Sequence, residues 1–446
     1  MRRSLCHLFF LSAILIAPSL SLASLSTQTG SSAGSIGRNQ LLSTHSWQLA
    51  ESLTAHPALV VNLKQSSSHL GIFYYQSHFR DVGSILTQNE ATSGASDRRQ
   101  SVDANIPNQL MFSYQYAQPL SHFWWSKSVG LSIVAPLPEM IILDSTSSFL
   151  PKYYWYDSRL NKTEVMLHLG QRVNENVKTS LSIFAQWDVI TKSEVITGIQ
   201  GSDTPSSARI QAKLKPRFFP MFETLWTHHE HNIGFSLALA SKQKLKNTVT
   251  GRAPLGGNTA VDYAFVMESQ SNVEPLRFRY HHQYQLQNHQ ALMWGIDYED
   301  WSNLQSTKLE ISQSQGVVSN GPNYETIHGK KILSYAMGME FTNLTDGIID
   351  LSYRFHPEVL SNDLSSSGNA VDSDKHIFGL AYKGKLKWSD FQGRWSIGGQ
   401  LHLLESHVVT KTPNQEDGST GNKIGSPGYK TGGYVAILGL GFEQDF

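Results

Sequence analysis

Cysteine is almost absent from this sequence of 446 residues. The single cysteine, Cys6, lies in a leader segment that we expect to be removed. The mature chain can then form no disulfide and carry out no thiol chemistry. An exported chain of this size without disulfides must take its stability from ordinary burial of apolar surface or from a membrane.

Long apolar runs are also absent after the leader. Residues 1–23, MRRSLCHLFFLSAILIAPSLSLA, have a basic start, an apolar run from Leu8 to Ala17 and small residues before Ala23, which is the order of a cleaved signal peptide. The run is shorter than the roughly 20 residues of a spanning helix, and Cys6 precedes it, so we expect no lipid anchor. Helical membrane proteins are excluded, but β-barrels are not, because their spanning strands are only half apolar.

An excess of charge of either sign is the third absence. The chain has 36 lysines and arginines and 36 aspartates and glutamates, and two of the arginines lie in the signal peptide, which contains no acid. The mature chain is therefore almost neutral, with two more acidic than basic residues. This balance gives no indication of a nucleic-acid partner.

What the sequence does have is a sustained alternation of apolar and polar residues. The segment TSLSIFAQWD sets Leu181, Ile183 and Ala185 against Ser182 and Gln186, and successive side chains of a strand point to opposite faces. Repeated over segments of about ten residues, this period of two is typical of membrane barrels. We predict an all-β fold, a 14-stranded antiparallel transmembrane β-barrel over residues 66–446, with strands near 69–79, 109–117, 127–136, 163–173, 178–189, 207–227, 233–241, 275–285, 291–299, 332–342, 348–356, 376–387, 393–404 and 432–446.

Short turns and long loops alternate strictly between these strands. Outer-membrane barrels have short periplasmic turns and long external loops, and an even strand number leaves both termini in the periplasm. We therefore expect a monomer in the cell outer membrane. The alternation requires residues 207–227 to form one strand, interrupted by Pro216 and Pro220, because two strands there would reverse every later loop.

The end of the chain, GGYVAILGLGFEQDF, has the same alternation. Leu440, Phe442 and Phe446 share one face, and Glu443 and Asp445 share the other. A barrel has no free edge, so its last strand must pair with its first. An alternating strand that ends in phenylalanine resembles the signal that the barrel-assembly machinery recognises. The alternative is a soluble edge strand that happens to end the chain.

Residues 24–65 precede the first predicted strand and do not alternate. Leu42, Leu49 and Leu53 lie near helical spacing, which predicts a short amphipathic helix, followed by a turn at Pro57. On the periplasmic side of a barrel such a segment could fill the lumen as a plug, or hatch. A floppy leader is the alternative, and the apolar content of the segment favours packing.

Several segments resemble, in the same order, the FadL/TodX family of outer-membrane transporters of long-chain fatty acids and hydrophobic compounds. AHPALV has His56, Pro57 and Ala58 where the family has an Asn-Pro-Ala hatch motif, so the first residue departs from it. The other similar segments, which cover most of residues 40–446, are LPKYYWYDSRLNKTEVMLHLGQRVNENVKTSLSIFAQ, LKPRFFPMFETLW, GIDYEDWSNL and LSYRFHPEVLSNDLSSSGNAVDSDKHIFGLAY.

The resemblance implies a barrel closed by an N-terminal hatch. Such transporters capture an apolar ligand, a long-chain fatty acid or another hydrophobic small molecule, in an apolar pocket and release it sideways through the barrel wall at a kinked strand. Lateral release carries the ligand into outer-membrane lipid without crossing lipopolysaccharide. The family needs no cofactor or metal and is not enzymatic.

Two other functions stay open from the residues alone. A general diffusion porin would have the same barrel but no packed N-terminal segment. An outer-membrane lipid-modifying enzyme would need a nucleophile, and no G-x-S-x-G elbow occurs in the sequence.

Candidate ligand-binding residues occur in an aromatic segment and on one strand. Tyr153, Tyr154, Trp155 and Tyr156 precede a strand at the outer rim, where they could line a ligand groove, although the aromatic girdle of a barrel is the favoured interpretation.

Arg277 and Arg279 alternate with apolar residues and should face the lumen. An arginine there could bind a fatty-acid carboxylate. We favour structural pairing with lumen acids such as Asp297 and Asp188.

Two further motifs have a structural and a functional interpretation. Pro136 and Pro138 could kink a strand and open the wall, or could simply mark the end of that strand, which is the favoured interpretation. The cluster THHEH at residues 227–231 could attract a metal, but its neighbouring side chains point apart, so we expect a solvated turn and no metal site.

Overall fold

A closed antiparallel barrel organises the molecule, as seen in a computed structural model. None of the helices in the described part of the chain is long and apolar enough to cross a membrane. The structure describes residues 29–45, 50–86, 99–105, 108–120, 127–137, 151–153, 155–156, 163–187, 193–197, 206–210, 216–254, 260–286, 289–304, 310–315, 328–344, 347–361, 370–388, 391–411 and 425–446.

Fourteen strands form the barrel, each hydrogen-bonded to its neighbours in sequence, and the last strand pairs with the first from Ser67↔Asp445 to Phe79↔Gly433. The predicted number, order and closure are therefore confirmed. The strands are β1 (Ser67–Phe79), β2 (Gln109–Pro119), β3 (Ser128–Pro136), β4 (Glu164–Arg172), β5 (Val177–Trp187), β6 (Pro216–His228), β7 (His231–Ala238), β8 (Leu276–Leu286), β9 (Gln290–Asp300), β10 (Lys331–Leu344), β11 (Gly347–His356), β12 (Lys375–Trp388), β13 (Phe391–Leu404) and β14 (Gly433–Asp445).

Alternate residues of the barrel strands face the lumen and the outer surface. Outward side chains are apolar and exposed, among them Leu167 at 60% and Leu440 at 57%. Inward side chains include buried polar and charged groups such as Gln115, His168 and Glu443. This distribution is the inverse of a soluble protein, and it is expected when lipid surrounds the barrel.

One predicted strand is wrong in its extent. Residues 207–227 do not form a single strand: β6 begins at Pro216, and Ser206–Ile210 pairs with Ser193–Thr197 in a separate hairpin outside the barrel. The alternation at the start of the predicted strand, in residues 207–210, is therefore a strand signal that belongs to a different sheet. The strand number is unaffected, because the hairpin lies within one long loop.

The other long loops also carry small sheets. The largest is a three-stranded sheet of Ser241–Pro254, Ala260–Glu274 and Glu310–Gln315. Shorter pairs join Val82–Leu86 to Arg99–Val102, Val408–Thr410 to Gly428–Lys430, and Lys152–Tyr153 to Ala370–Val371. The last pair is parallel and brings two different loops together.

The N-terminal segment is not the helix that was predicted from the spacing of its leucines. The structure has a short helix α1 (Ala33–Gly37) and a 3-10 helix (Pro57–Asn62), and Leu42 and Leu53 lie in irregular backbone or turns between them. Leu49 lies outside the described residues. The helix α1 begins at a capping box, in which the Ser32 hydroxyl accepts from the Ser35 amide at 3.0 Å.

Contacts with barrel strands determine the path of this segment. Gly398 on β13 permits the closest approach, because a Cβ atom at that position would collide with the Ala33 carbonyl oxygen. Neighbours of the segment come from all fourteen strands, and representatives in strand order are Tyr75, Gln115, Gly130, Gly170, Phe184, Glu223, Asn232, His281, Met293, Glu340, Asp350, Lys383, Gln400 and Gly439.

Candidate functional site

A small cavity lies where a loop, the N-terminal segment and strands β11 to β13 meet. Its volume is about 20 Å³, enough for about one water molecule. It is lined by aromatic rings on one side and by cations and histidines on the other: Thr29, Trp155, Tyr156, Arg354, His356, Lys375, Ile377 and His402.

Asp372 positions the loop side of the cavity. Its carboxylate accepts from the Trp155 indole at 3.0 Å and from the Val359 amide at 2.6 Å, and it pairs with the Lys375 ammonium at 2.8 Å. The Lys375 nitrogen also lies 5.0 Å from the centroid of the Trp155 ring, within the range of a cation–π contact. The segment Asp-Ser-Asp-Lys-His thus orders both a cation and an aromatic wall.

Tyr156 is held by a hydrogen bond to the barrel wall. Its hydroxyl lies 2.8 Å from His402 Nδ1, and His402 Nε2 lies 2.8 Å from Gln400 Oε1. Burial, and secondarily the charge of Asp372, raises the pKa of Tyr156 well above its ordinary value. The hydroxyl therefore keeps its proton and donates a hydrogen bond to His402 Nδ1.

The aromatic segment is not a membrane girdle. Tyr153, Trp155 and Tyr156 are only 2%, 3% and 7% exposed, whereas girdle residues face lipid. Tyr153 stacks on Phe79 with ring centroids 4.0 Å apart and donates to the Gly432 carbonyl at 3.1 Å. The favoured sequence interpretation is therefore wrong for these three residues, and Tyr154 lies outside the described residues.

Arg277 and Arg279 face the lumen, as predicted, and both have carboxylate partners. Arg277 Nε donates to Glu299 at 2.9 Å, and Arg279 Nε lies 3.8 Å from Asp297. Asp297 also pairs with Arg354 at 3.0 Å. Structural pairing was the favoured interpretation, and the geometry agrees with it for Asp297, while Asp188 lies outside the described residues.

An apolar cluster surrounds the cavity and continues into the loops. It combines inward side chains of the barrel, such as Phe73 and Ile437, with loop side chains such as Ile85, Trp301 and Val359, all buried. A ligand that reached the cavity from outside would therefore pass through apolar surroundings before it met Arg354 and Lys375.

A second apolar cluster lies inside the barrel beside β4, β5 and β6. Met166, Phe184 and Phe219 pack with Leu53 and Val60 of the N-terminal segment. The rings of Phe184 and Phe219 stack at 4.8 Å with an interplanar angle of 1°. Unlike the opposite wall, this wall meets the segment mainly through apolar side chains.

The second cluster adjoins the shortest ladder of the barrel. Among the residues that the structure describes, strands β3 and β4 share seven pairs, from Ser128↔Gly170 to Val134↔Glu164, whereas the next shortest ladders have eight. Pro136 ends β3, and its register partner is Met111 on β2 rather than a residue of β4. Pro138 lies outside the described residues. The wall is therefore least paired at the end of the strand where a kink was considered.

The motif His56-Pro57-Ala58 binds Glu223 of β6. His56 Nδ1 lies 2.7 Å from Glu223 Oε1, and the Ala58 amide donates to Glu223 Oε2 at 2.7 Å. Pro57 opens the 3-10 helix, where its missing amide proton leaves no donor unpaired. One carboxylate thus fixes the start of this helix to the barrel.

Sequence reasoning missed the polar half of the cavity. The alternation along their strands predicts that Arg354, His356 and His402 face the lumen, as Arg277 does. It does not predict that they meet Trp155 and Tyr156, because that contact depends on the path of a loop. The turn histidines His228 and His229 are exposed, as expected. Within the described part of the chain, no group of three or more His, Cys, Asp or Glu side chains could hold a metal ion.

Comparisons with known proteins give structural matches only. No family model and no curated protein matches the sequence. A Pseudomonas aeruginosa FadL homologue is 12% identical, with a TM-score of 0.59 over 96% of this chain and 99% of that chain. The Pseudomonas putida toluene transporter TodX is 10% identical, with a TM-score of 0.51 over 94% and 99%.

A third solved structure agrees with these two. The monoaromatic hydrocarbon channel CymD is 9% identical, with a TM-score of 0.51 over 94% of this chain and 98% of that chain. Each match spans nearly the whole of both chains. The chain has the fold of the FadL and TodX barrels.

Proposed function

We propose that this protein is an outer-membrane transporter that imports hydrophobic compounds, with long-chain fatty acids as the expected substrate. The observation that carries the proposal is the buried apolar cluster formed by the barrel wall and the loops. Two of its aromatic rings, Trp155 and Tyr156, line a cavity together with Arg354 and Lys375. A fatty-acid tail gains about 0.8 kcal/mol for each CH₂ that it buries, and cations at the cavity suit its carboxylate.

The N-terminal segment acts in this proposal as the plug. Its contacts with all fourteen strands, and the small volume of the cavity, favour a closed lumen over a diffusion porin. The cavity is too small for a fatty acid, so binding requires the loops or the plug to move. We propose that residues 24–65 shift when the ligand binds, with both termini in the periplasm.

Release is proposed to be lateral, between β3 and β4. The short ladder there leaves the fewest interstrand bonds to break, and the apolar cluster of Met166, Phe184 and Phe219 leads to it from the lumen. The ligand would pass into the outer membrane through an apolar route, without entering the periplasm.

Uptake measurements test the function directly. Cells that lack their own fatty-acid importer would be given labelled oleate or a labelled small sugar, with and without this protein. We expect oleate uptake without sugar leakage. Sugar leakage without oleate uptake would instead indicate a porin, and the resemblance would then concern the fold only.

A variant of Lys375 tests the polar end of the site. Lys375→Gln should lower oleate uptake about tenfold, because a charge-assisted hydrogen bond is worth about 1.5–3 kcal/mol, and should spare uptake of a neutral long-chain alcohol. Lys330→Gln is the matched control, since Lys330 pairs with Glu358 outside the cavity. Equal loss of both substrates would contradict a carboxylate role for Lys375.

A further inference from the structure

Four ionisable side chains form a buried chain across the lumen. Glu223 Oε1 lies 2.7 Å from His56 Nδ1, His56 Nε2 lies 3.0 Å from His281 Nδ1, and His281 Nε2 lies 2.9 Å from Asp297 Oδ1. All four are at least 95% buried. The chain joins β6, the plug, β8 and β9, and His56 is the member that stands in place of an asparagine in the hatch motif.

The acceptors around His56 determine how many protons it holds. His56 Nε2 also lies 3.0 Å from the Gln40 carbonyl oxygen, which can only accept, so Nε2 must carry a proton. The contact between Nδ1 and Glu223 requires a second proton, on either the imidazole or the carboxylate. Glu223 and His56 therefore share one proton more than a neutral histidine beside a carboxylate would have.

The remaining chain agrees with this count. With a proton on His56 Nε2, His281 Nδ1 accepts, and the His281 Nε2 proton is donated to the Asp297 carboxylate. Other charged groups near the chain are Arg279 and Arg354, both beside Asp297. On β7, Gly234 lies beside His56, and the next inward residue, Asn232, donates to the Thr44 hydroxyl; neither carries a charge.

Loss of the shared proton would break the contact. The Glu223 carboxylate would then face the lone pair of a neutral His56 at 2.7 Å, a repulsive arrangement between two buried groups. The 3-10 helix Pro57–Asn62 depends on the same carboxylate through the Ala58 amide. Its other contacts, with β4 to β6, are largely apolar.

We propose that His56 and Glu223 form a proton-dependent latch that closes the plug while the shared proton is bound and releases residues 53–63 when that proton is lost. The released residues lie beside Met166 and Phe184, so opening would expose the apolar wall next to the β3–β4 ladder. This inference rests on the proposed plug and adds regulation to it. An asparagine at position 56 would hold the plug without a titratable group.

Sugar leakage from proteoliposomes tests the latch. The full chain is reconstituted with entrapped sucrose, and leakage is measured from about pH 5 to about pH 9, on both sides of the ordinary pKa of a histidine side chain. We expect leakage to rise with pH by up to about tenfold per unit above the titration point. His56→Asn and Glu223→Gln should both give a leakage that does not change with pH.

Matched controls separate the latch from a loss of structure. His168→Gln removes another buried lumen histidine, whose Nδ1 lies 3.3 Å from the Ser182 hydroxyl of the barrel, and it should keep the wild-type pH profile. Heat-dependent mobility on gels shows that each variant is folded. A flat wild-type profile, or an unchanged profile in His56→Asn, would overturn the latch.

Uptake of a neutral long-chain alcohol by the same preparations distinguishes the latch from the transport function. Alcohol uptake with leakage that is independent of pH would overturn the latch and leave hydrophobic import standing. Leakage that depends on pH, without alcohol uptake, would support the latch and overturn hydrophobic import.

Discussion

At the scale of single residues, Glu51 links the N-terminal segment to the last strands of the barrel. Its carboxylate lies 2.8 Å from Lys383 and 3.4 Å from Arg38, and it is fully buried. Burial alone would raise the pKa of Glu51, but the charges of Lys383 and Arg38 outweigh burial and hold it below its ordinary value. The carboxylate is therefore ionised and compensates two buried cations.

Replacing this carboxylate should destabilise the protein strongly. Glu51→Gln leaves Lys383 and Arg38 close together without their shared acid, and breaking a buried ion pair costs about 3–5 kcal/mol. Urea unfolding in lipid vesicles measures the loss. Glu175→Gln, in an exposed turn, should change the free energy of unfolding by less than about 0.5 kcal/mol.

The difference in stability between the wild type and Glu51→Gln should depend on pH, and the direction of the change can be stated. A carboxyl whose folded pKa is lowered stabilises the fold above its unfolded pKa, and that contribution is lost as the pH falls through the folded value. The advantage of the wild type over Glu51→Gln should therefore shrink below about pH 4. A constant difference down to about pH 2 would show that Glu51 is not ionised.

Single-residue roles were partly readable from the sequence. Parity along a strand placed Arg277 and Arg279 inside, because each second side chain of a barrel strand faces the lumen. Alternation does not show which side chains of other strands and loops a residue will contact. The sequence therefore did not predict that Arg354 and Lys375 lie at one cavity with Trp155. The aromatic segment was misassigned because a girdle and a buried loop have the same composition.

At the scale of elements, the strands were predictable and the path of the N-terminal segment was not. A strand that separates lipid from lumen must alternate, so period two located the strands, while the alternation of short turns and long loops was needed to count residues 207–227 as one strand. The path of the N-terminal segment depends instead on contacts such as Ser43 with Glu340 and Arg38 with Asp350, which lie some 300 positions away. Local spacing of leucines therefore predicted a helix that the barrel wall does not allow.

A cross-link between β3 and β4 tests the lateral exit. Ile133 and Val165 are register partners near the end of the short ladder, and the one native cysteine is Cys6, in the expected signal peptide. A disulfide formed by Ile133→Cys and Val165→Cys should abolish oleate uptake, because the wall could no longer part there, and reduction should restore it.

The matched control closes a ladder that has no proposed opening. Phe378→Cys and Leu401→Cys join outward-facing register partners on β12 and β13, which share the longest ladder of fourteen pairs. Uptake should continue with that disulfide formed. Equal inhibition by both cross-links would mean that uptake needs general flexibility of the barrel rather than an opening between β3 and β4.

At the scale of the whole molecule, the placement of polar groups decides which solvent the protein meets. Charges such as Asp297, Glu299 and Lys383 are buried inside, while leucine, phenylalanine and tryptophan side chains cover the outside. Water around such a surface would drive aggregation. A bilayer makes the same surface stable, and it also gives an apolar ligand a destination on the far side of the wall.

A charge on the outer surface tests that arrangement. Leu167 lies near the middle of β4 and is 60% exposed, and Val173, just beyond the end of the same strand, is 59% exposed. Leu167→Arg should cost about 2–4 kcal/mol of unfolding free energy in vesicles, and Val173→Arg only about 0–1, because the penalty follows depth in the bilayer. In water the two equally exposed sites would differ little. Equal costs of Leu167→Arg and Val173→Arg would therefore contradict the membrane position of the barrel. A larger cost of Val173→Arg would mean that the bilayer is centred near Val173, at the C-terminal end of β4.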